Sequence, residues 1–190
     1  MKNSIPNSCK VVVIGGGVAG CSTAYHLAKF GWKDTVLLER DVLTSGTTWH
    51  AAGLIGQLGS SATITKLRNY SLNLYKQLEK ETGLSTGLKQ NGSLTVATTS
   101  DRLEELKRQV TFAQRFDIEA KQVNREEIKE IYPLINVEDI VGGVFIARDG
   151  QADPVGVANV LAKAARQNGA QIIEKCPVKK ILKKDNKIVG

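Results

Sequence analysis

Aromatic side chains make up only 5% of the 190 residues, and cysteine, proline and methionine number 3, 4 and 1. So few aromatics leave no stacking platform for nucleic acid, although Lys and Arg outnumber Asp and Glu by 26 to 19 and set a net charge of +7. Much of that excess, Lys175, Lys179, Lys180, Lys183, Lys184 and Lys187, lies near the carboxyl end without an aromatic among them and reads as the solvated face of a hairpin. Cys9, Cys21 and Cys176 are odd in number, widely spaced and without a CxxC, which points to neither a disulfide framework nor a zinc site and fits a reducing compartment. No apolar stretch approaches a membrane-crossing length, and Met1 to Cys9 lacks the apolar centre of a signal peptide. Internal repeats and low-complexity tracts are missing too. The remainder, 42% hydrophobic and 24% charged, is a globular composition in a chain long enough to bury a sizeable core.

Against these absences stands a glycine-opened βαβ unit. Lys10-Val11-Val12-Val13-Ile14 is a β-branched run that suits a strand buried on both faces, and it leads straight into Gly15-Gly16-Gly17-Val18-Ala19-Gly20. Gly15, Gly17 and Gly20 fill the GxGxxG pattern: one allows a sharp turn, one lets backbone approach a pyrophosphate, and one lets the next helix pack on the sheet. A helix from Ala19 to Phe30, with Ala24, Leu27 and Ala28 on one face and Gly31 at its C′ position, aims its amide N–H groups and positive dipole end at the phosphates. Thr35-Val36-Leu37-Leu38-Glu39 then delivers a carboxylate about 20 residues beyond the last glycine, where a ribose hydroxyl pair lies. Glu39 disfavours a 2′-phosphate, while Arg40 beside it is either a hint of NADP or a solvated strand-end charge.

Thr44-Ser45-Gly46-Thr47-Thr48-Trp49-His50-Ala51-Ala52-Gly53-Leu54 follows. Gly46, Thr47, Thr48, Ala51, Ala52 and Gly53 let backbone come close to a flat ring and offer it hydroxyls and amides. Trp49 packs either on a cofactor or, by default, in the core.

These residues carry a family resemblance. Gly15 to Gly20, Glu39-Arg40 and Ser45 to Leu54 resemble the sarcosine and dimethylglycine dehydrogenases, members of the D-amino-acid-oxidase-like FAD-dependent oxidoreductases, with the sarcosine enzymes nearer. The likeness continues through Leu78 to Gly83, Gln90 to Ser93, Ile131 to Leu134, Asp149-Gly150, Asp153-Pro154 and Cys176 to Val178. It implies a Rossmann-like FAD-binding α/β domain, doubly wound but incomplete, joined to part of an inserted α+β substrate domain. It places FAD on Gly15, Gly17, Val18, Ala19, Gly20, Glu39, Arg40, Gly46, Thr47, Thr48, Trp49, His50, Ala51, Ala52, Gly53, Leu54 and Val178, the last at the adenine. By the resemblance His50 takes the covalent link to the isoalloxazine 8α-methyl, a role suited to a neutral imidazole nitrogen, and the linkage makes the flavin more oxidising; the alternative is that His50 only hydrogen-bonds a loop.

The implied reaction is oxidation of the N-methyl group of a methylated glycine by hydride transfer to flavin, with the iminium product hydrolysed or captured by tetrahydrofolate. Electrons then leave to an electron-transfer flavoprotein or to oxygen. The family's catalytic residues lie largely past position 190, so no catalytic residue is assigned. A bacterial cytoplasmic protein is expected from the short, arginine-poor start, or a mitochondrial matrix one if the source is eukaryotic. Three alternatives stay open: a non-catalytic regulatory subunit of the same family, a noncovalent FAD amino-acid oxidase, and a plain NAD-dependent dehydrogenase.

Residues 1–55 are expected to form the first part of the FAD domain, 56–148 the start of the substrate domain and 149–190 the return to the FAD domain. Within these, the pattern predicts a helix from Ser61 to Thr82 on an Ile64, Leu67, Leu74, Leu78 stripe. Asn91-Gly92 between Gly87–Gln90 and Ser93–Thr98 predicts a type I′ hairpin. A helix is expected from Ser100 or Asp101, a capping box at Asn124 and Glu127, a strand over Ile140 to Ala147, and a helix capped by Asp153 with Pro154 at N1. Gln171 to Glu174 reads as a third parallel strand, and Val178–Leu182 with Lys187–Val189 as a hairpin about Asp185-Asn186. Three parallel strands are fewer than the ~5 of a complete doubly wound sheet, so the expectation is an amino-terminal fragment.

Overall fold

The computed structural model describes residues 5–190, so the first four residues of the polar start lie outside the described ones. In chain order the elements are β1 (Val11–Ile14), α1 (Val18–Lys29), β2 (Thr35–Leu38), β3 (Leu54–Ile55) and α2 (Ala62–Thr82). Then follow β4 (Ser93–Ala97), α3 (Ser100–Gln114), β5 (Ala120–Val123), α4 (Arg125–Ile131), β6 (Gly142–Ile146) and β7 (Gly150–Gln151). The chain closes with α5 (Pro154–Gln167), β8 (Gln171–Ile173), β9 (Lys183–Lys184) and β10 (Lys187–Ile188). It divides into a first unit of residues 1–53, 76–87 and 153–190 and a second of residues 54–75 and 88–152.

The first unit is α/β, as expected. Its sheet runs β1-β2-β8, all parallel, with Val12 opposite Val36 and Leu37 opposite Ile172. α1 and α5 pack together, and the small buried residues Ala24, Ala28, Ala158, Ala162 and Ala165 suit a close approach of helices. Gly31, at φ +93, ends α1, and its N–H donates to Ala28 O while Trp32 N donates to Leu27 O, so the expected glycine stop is built. Asp153 caps α5 by accepting the Val155 N–H at 3.0 Å, with Pro154 following at the helix start. β1 departs from expectation. It is an edge strand here, and Val12 and Ile14 are 49% and 54% exposed, because a β-branched run fixes strand character but not how many neighbours the strand has.

The second unit carries an antiparallel sheet in the order β4-β6-β5. Ala97, Leu106, Val110, Ala113, Ile118, Val144 and Ile146 form its main apolar cluster. α3 is capped by Thr99, whose side chain accepts the Arg102 N–H, and not by Ser100 or Asp101. The Asn124–Glu127 capping box is formed as expected. The Asn91-Gly92 hairpin is not. Only Gly92 has positive φ, so a type I′ turn is impossible, and the two arms take different partners: Lys89 bridges Gln151 while β4 pairs with β6. On α2 the expected stripe is also partly wrong, since Ile64 and Leu67 are exposed and Thr65, Leu72, Leu74 and Leu78 are buried. Back in the first unit, the carboxyl-terminal hairpin turns at Asp185 and Asn186, both at positive φ, on arms shorter than the expected ones, and its lysines are exposed.

Candidate functional site

The glycine turn between β1 and α1 is built by close approach. A Cβ on Gly20 would lie 1.9 Å from Gly15 O, so the third fingerprint glycine is required by helix packing on the turn. Gly15 sits at φ +107 with open space where a side chain would be. Gly16, at a position the fingerprint leaves free, is equally constrained: its Cβ would lie 2.6 Å from Leu43 Cδ2 and 2.9 Å from Glu39 Cβ. The run of three glycines was the only signal for it.

Glu39 underlies this turn and is 8% exposed. Its Oε2 accepts the Gly16 N–H at 2.6 Å and its Oε1 accepts the Asp41 N–H at 2.9 Å, so a carboxylate desolvated by burial is compensated by charge-assisted bonds. The Glu39 carbonyl accepts the Cys176 N–H at 2.8 Å, which brings the chain two residues short of Val178 to the end of β2. Val178 itself is 38% exposed, and Arg40 is exposed.

Residues 40–50 fold back on the glycine turn. Thr44 N–H donates to Gly16 O at 3.0 Å, and Thr48 Oγ1 accepts the Val18 N–H at 2.9 Å. Leu43 N–H donates to Glu174 Oε1 at 2.7 Å. Thr44 holds φ +69, a conformation costly for a β-branched residue, and no sequence signal marks it. Leu43, Thr44 and Glu174 were not among the residues expected at the site.

A single helical turn, Thr48–His50, presents the imidazole. His50 Nδ1 lies 3.2 Å from Gly46 O. A carbonyl only accepts, so Nδ1 carries the hydrogen in this contact and Nε2 is the ring nitrogen left outside it. Trp49 is 57% exposed, so it is not a core residue; its ring lies 3.8 Å from that of His50, tilted by 34°. Thr47 O accepts the His50 N–H, Thr48 O accepts the Ala51 N–H, Ala51 and Ala52 are exposed, Gly46 has open space where a side chain would be, and Gly53 is at φ +72. Leu54 belongs to the second unit, where it is 79% exposed and pairs with Gln151.

Under the turn, Cys21 is fully buried with its Sγ 3.6 Å from Gly16 O. Burial, partly opposed by Arg166, pushes its thiol up to about 11, so it is no nucleophile. Among the described residues, the N–H groups of Gly17, Ala19 and Gly20 have no acceptor, whereas those of Gly16 and Val18 are taken by side chains. Open amides at a helix start beside an unfilled Gly15 face fit a diphosphate, and a buried carboxylate at the next strand end fits a ribose.

The DAO family, described as FAD dependent oxidoreductase, matches residues 10–190. The chain belongs to that family. It is 47% identical over 175 residues to human mitochondrial sarcosine dehydrogenase, covering 92% of this chain and 19% of that protein. To the mouse mitochondrial pyruvate dehydrogenase phosphatase regulatory subunit it is 40% identical, over 98% of this chain and 21% of the relative. The crystal structure of L-proline dehydrogenase from P.horikoshii matches with a TM-score of 0.89 at 30% identity, covering 97% of this chain and 48% of that one. The chain therefore spans about a fifth of the length of these curated relatives. FAD dependence is the family's property, and among the described residues no helix is long and apolar enough to cross a membrane.

Proposed function

We propose that this chain is the FAD-holding part of an enzyme that oxidises the N-methyl group of sarcosine or dimethylglycine. The observation that carries the reading is His50: an exposed imidazole, with Nδ1 committed to Gly46 O and Nε2 outside that contact, two residues past the hydroxyl that caps the glycine helix. Bound FAD would supply the two-electron acceptor for a hydride from the N-methyl carbon. In this reading Gly15, Gly17, Val18, Ala19 and Gly20 hold the diphosphate, Glu39 the ribose with Arg40 at its margin, and Val178 the adenine side. Gly46, Thr47, Thr48, Trp49, Ala51, Ala52, Gly53 and Leu54 line the flavin, and His50 bonds it covalently. Residues 56–148 begin a substrate domain, apart from 76–87, which cluster with the first unit, and 1–55 and 149–190 belong to the FAD domain.

Electron-transfer flavoprotein or oxygen takes the electrons, and tetrahydrofolate takes the one-carbon unit in the full-length parent. That parent works in the cytoplasm of a bacterium or the matrix of a mitochondrion. The test is acid precipitation of the full-length protein: covalent flavin stays with the pellet and fluoresces on a denaturing gel, and His50→Ala abolishes that signal. Yellow supernatant and a colourless pellet would overturn the covalent role while leaving FAD binding standing.

A second reading, a non-catalytic regulatory subunit, is favoured by the 40% identity to the mouse phosphatase subunit. Turnover of sarcosine or dimethylglycine with an artificial electron acceptor separates the two, since the regulatory reading requires none.

A further inference from the structure

Val18 opens α1, and an amide at that position has no intrahelical acceptor. Gly17, the N-cap, has no side chain to offer one. The acceptor comes from 30 residues further along: Thr48 Oγ1 takes the Val18 N–H at 2.9 Å, and Thr48 is buried, 8% exposed. A Cβ on Gly17 would lie 2.9 Å from that same oxygen, closer than such atoms pack, and nothing else stands within 4 Å of it. The second fingerprint glycine thus has a reason to be glycine that involves no phosphate. Because Thr48 also opens the turn Thr48–His50, this one bond ties the start of α1 to the segment that presents the imidazole.

We propose that Thr48 is a positioning residue that locks the diphosphate-binding helix start to the flavin-facing turn, and that Gly17 is small in order to admit its hydroxyl. The proposal rests on the FAD reading above. Thr48 acts by setting the geometry of the open Gly17, Ala19 and Gly20 amides and of His50 together. A side-chain cap supplied from within one helix has no such effect, because it orients only its own turn.

The test uses full-length protein with Thr48→Val, Thr48→Ser, Thr48→Ala, Gly17→Ala and the Thr48→Ala/Gly17→Ala pair. FAD content after gel filtration and the Kd for ADP, which carries the diphosphate without the flavin, are measured alongside circular dichroism. Loss of a cap of this kind weakens FAD binding by about tenfold in Thr48→Val, while Thr48→Ser stays within about twofold of wild type. Gly17→Ala is harmful alone but adds little to Thr48→Ala, because both remove the same contact. Wild-type affinity in Thr48→Val overturns the proposal, and so does a Gly17→Ala penalty that is as large without the hydroxyl as with it. If Thr48→Val does not fold, the Thr48→Ala cycle gives the same decision. Wild-type protein that binds neither FAD nor ADP sinks the underlying FAD reading first, an outcome distinct from selective normality of the variants.

Discussion

In the first unit the glycine turn and the segment folded on it are held by side-chain oxygens on backbone amides: Glu39 on Gly16 and Asp41, Thr48 on Val18, and Glu174 on Leu43. In the second unit the sheet is held by apolar contact around Leu106 and Val144, with one buried carboxylate, Asp149, bonding Gln57 N–H at 2.8 Å and the Ser93 hydroxyl at 2.6 Å. The contrast separates two kinds of order. A clasp of few polar bonds fixes a backbone while leaving neighbouring amides open, whereas a packed cluster leaves nothing open. The proposed FAD site draws on the clasp for that reason.

Substitutions that strike both units through backbone contact have the largest expected effect. Gly20→Ala forces a Cβ against Gly15 O, and Gly150→Ala forces one against Lys89 O, each at 1.9 Å. Each loses about 4 kcal/mol or more of stability, read as a fall in thermal midpoint. Only Gly20→Ala is expected to abolish FAD binding in whatever protein still folds. Equal loss of FAD in both variants would break the comparison.

Leu106→Ala comes next. Its side chain is fully buried in the second unit's cluster, so truncation costs about 2–5 kcal/mol by urea unfolding while FAD content per folded molecule holds steady. Parallel loss of flavin would show that the apolar cluster also governs the clasp.

The two buried carboxylates sharpen the contrast further. Asp149→Ala strands the Gln57 N–H and the Ser93 hydroxyl and costs about 2–4 kcal/mol of stability with little effect on FAD. Glu39→Gln retains one acceptor but turns an NH2 group toward an amide donor. About tenfold weaker FAD binding with a smaller stability loss is expected, measured by titration and urea midpoint together. A Glu39→Gln protein with unchanged FAD affinity would remove the carboxylate from the site.

The sequence revealed those features whose cause is local. Gly31 and Asp153 announce helix ends, Asn124 with Glu127 announces a capping box, and Gly20 is demanded by a packing rule tied to spacing. Where the cause is distant, it was hidden. Gly16 must be glycine because Leu43 and Glu39 lie against it, and Leu43 is anchored by Glu174, 131 residues away. The Asn91-Gly92 turn misled because a strong local signal was overridden by the pairing of β4 with β6. Val12 and Ile14 were read as doubly buried because hydrophobicity reports what a strand tolerates, not which neighbours it has.

The last expected effect concerns the clasp's apolar floor, leaves FAD binding at neutral pH untouched and shows as a pH dependence only above about pH 9. Cys21 lies in α1 beneath Gly16, and burial is the main cause that lifts its thiol to about 11, with Glu39 and Glu174 reinforcing and Arg166 opposing. From about pH 9 to 11 the folded chain keeps a proton that the unfolded chain sheds, so the folded state binds more protons and stability falls as pH rises. The contribution is fully present below pH 9 and is worth about 2–3 kcal/mol across that window. Urea midpoints of wild type and Cys21→Ala, followed from pH 7 to 11, should therefore start apart by a constant cavity penalty and converge above pH 9. Curves that stay parallel to pH 11 would mean that the thiolate is as well tolerated under the turn as in water, and that the floor of the clasp is wet.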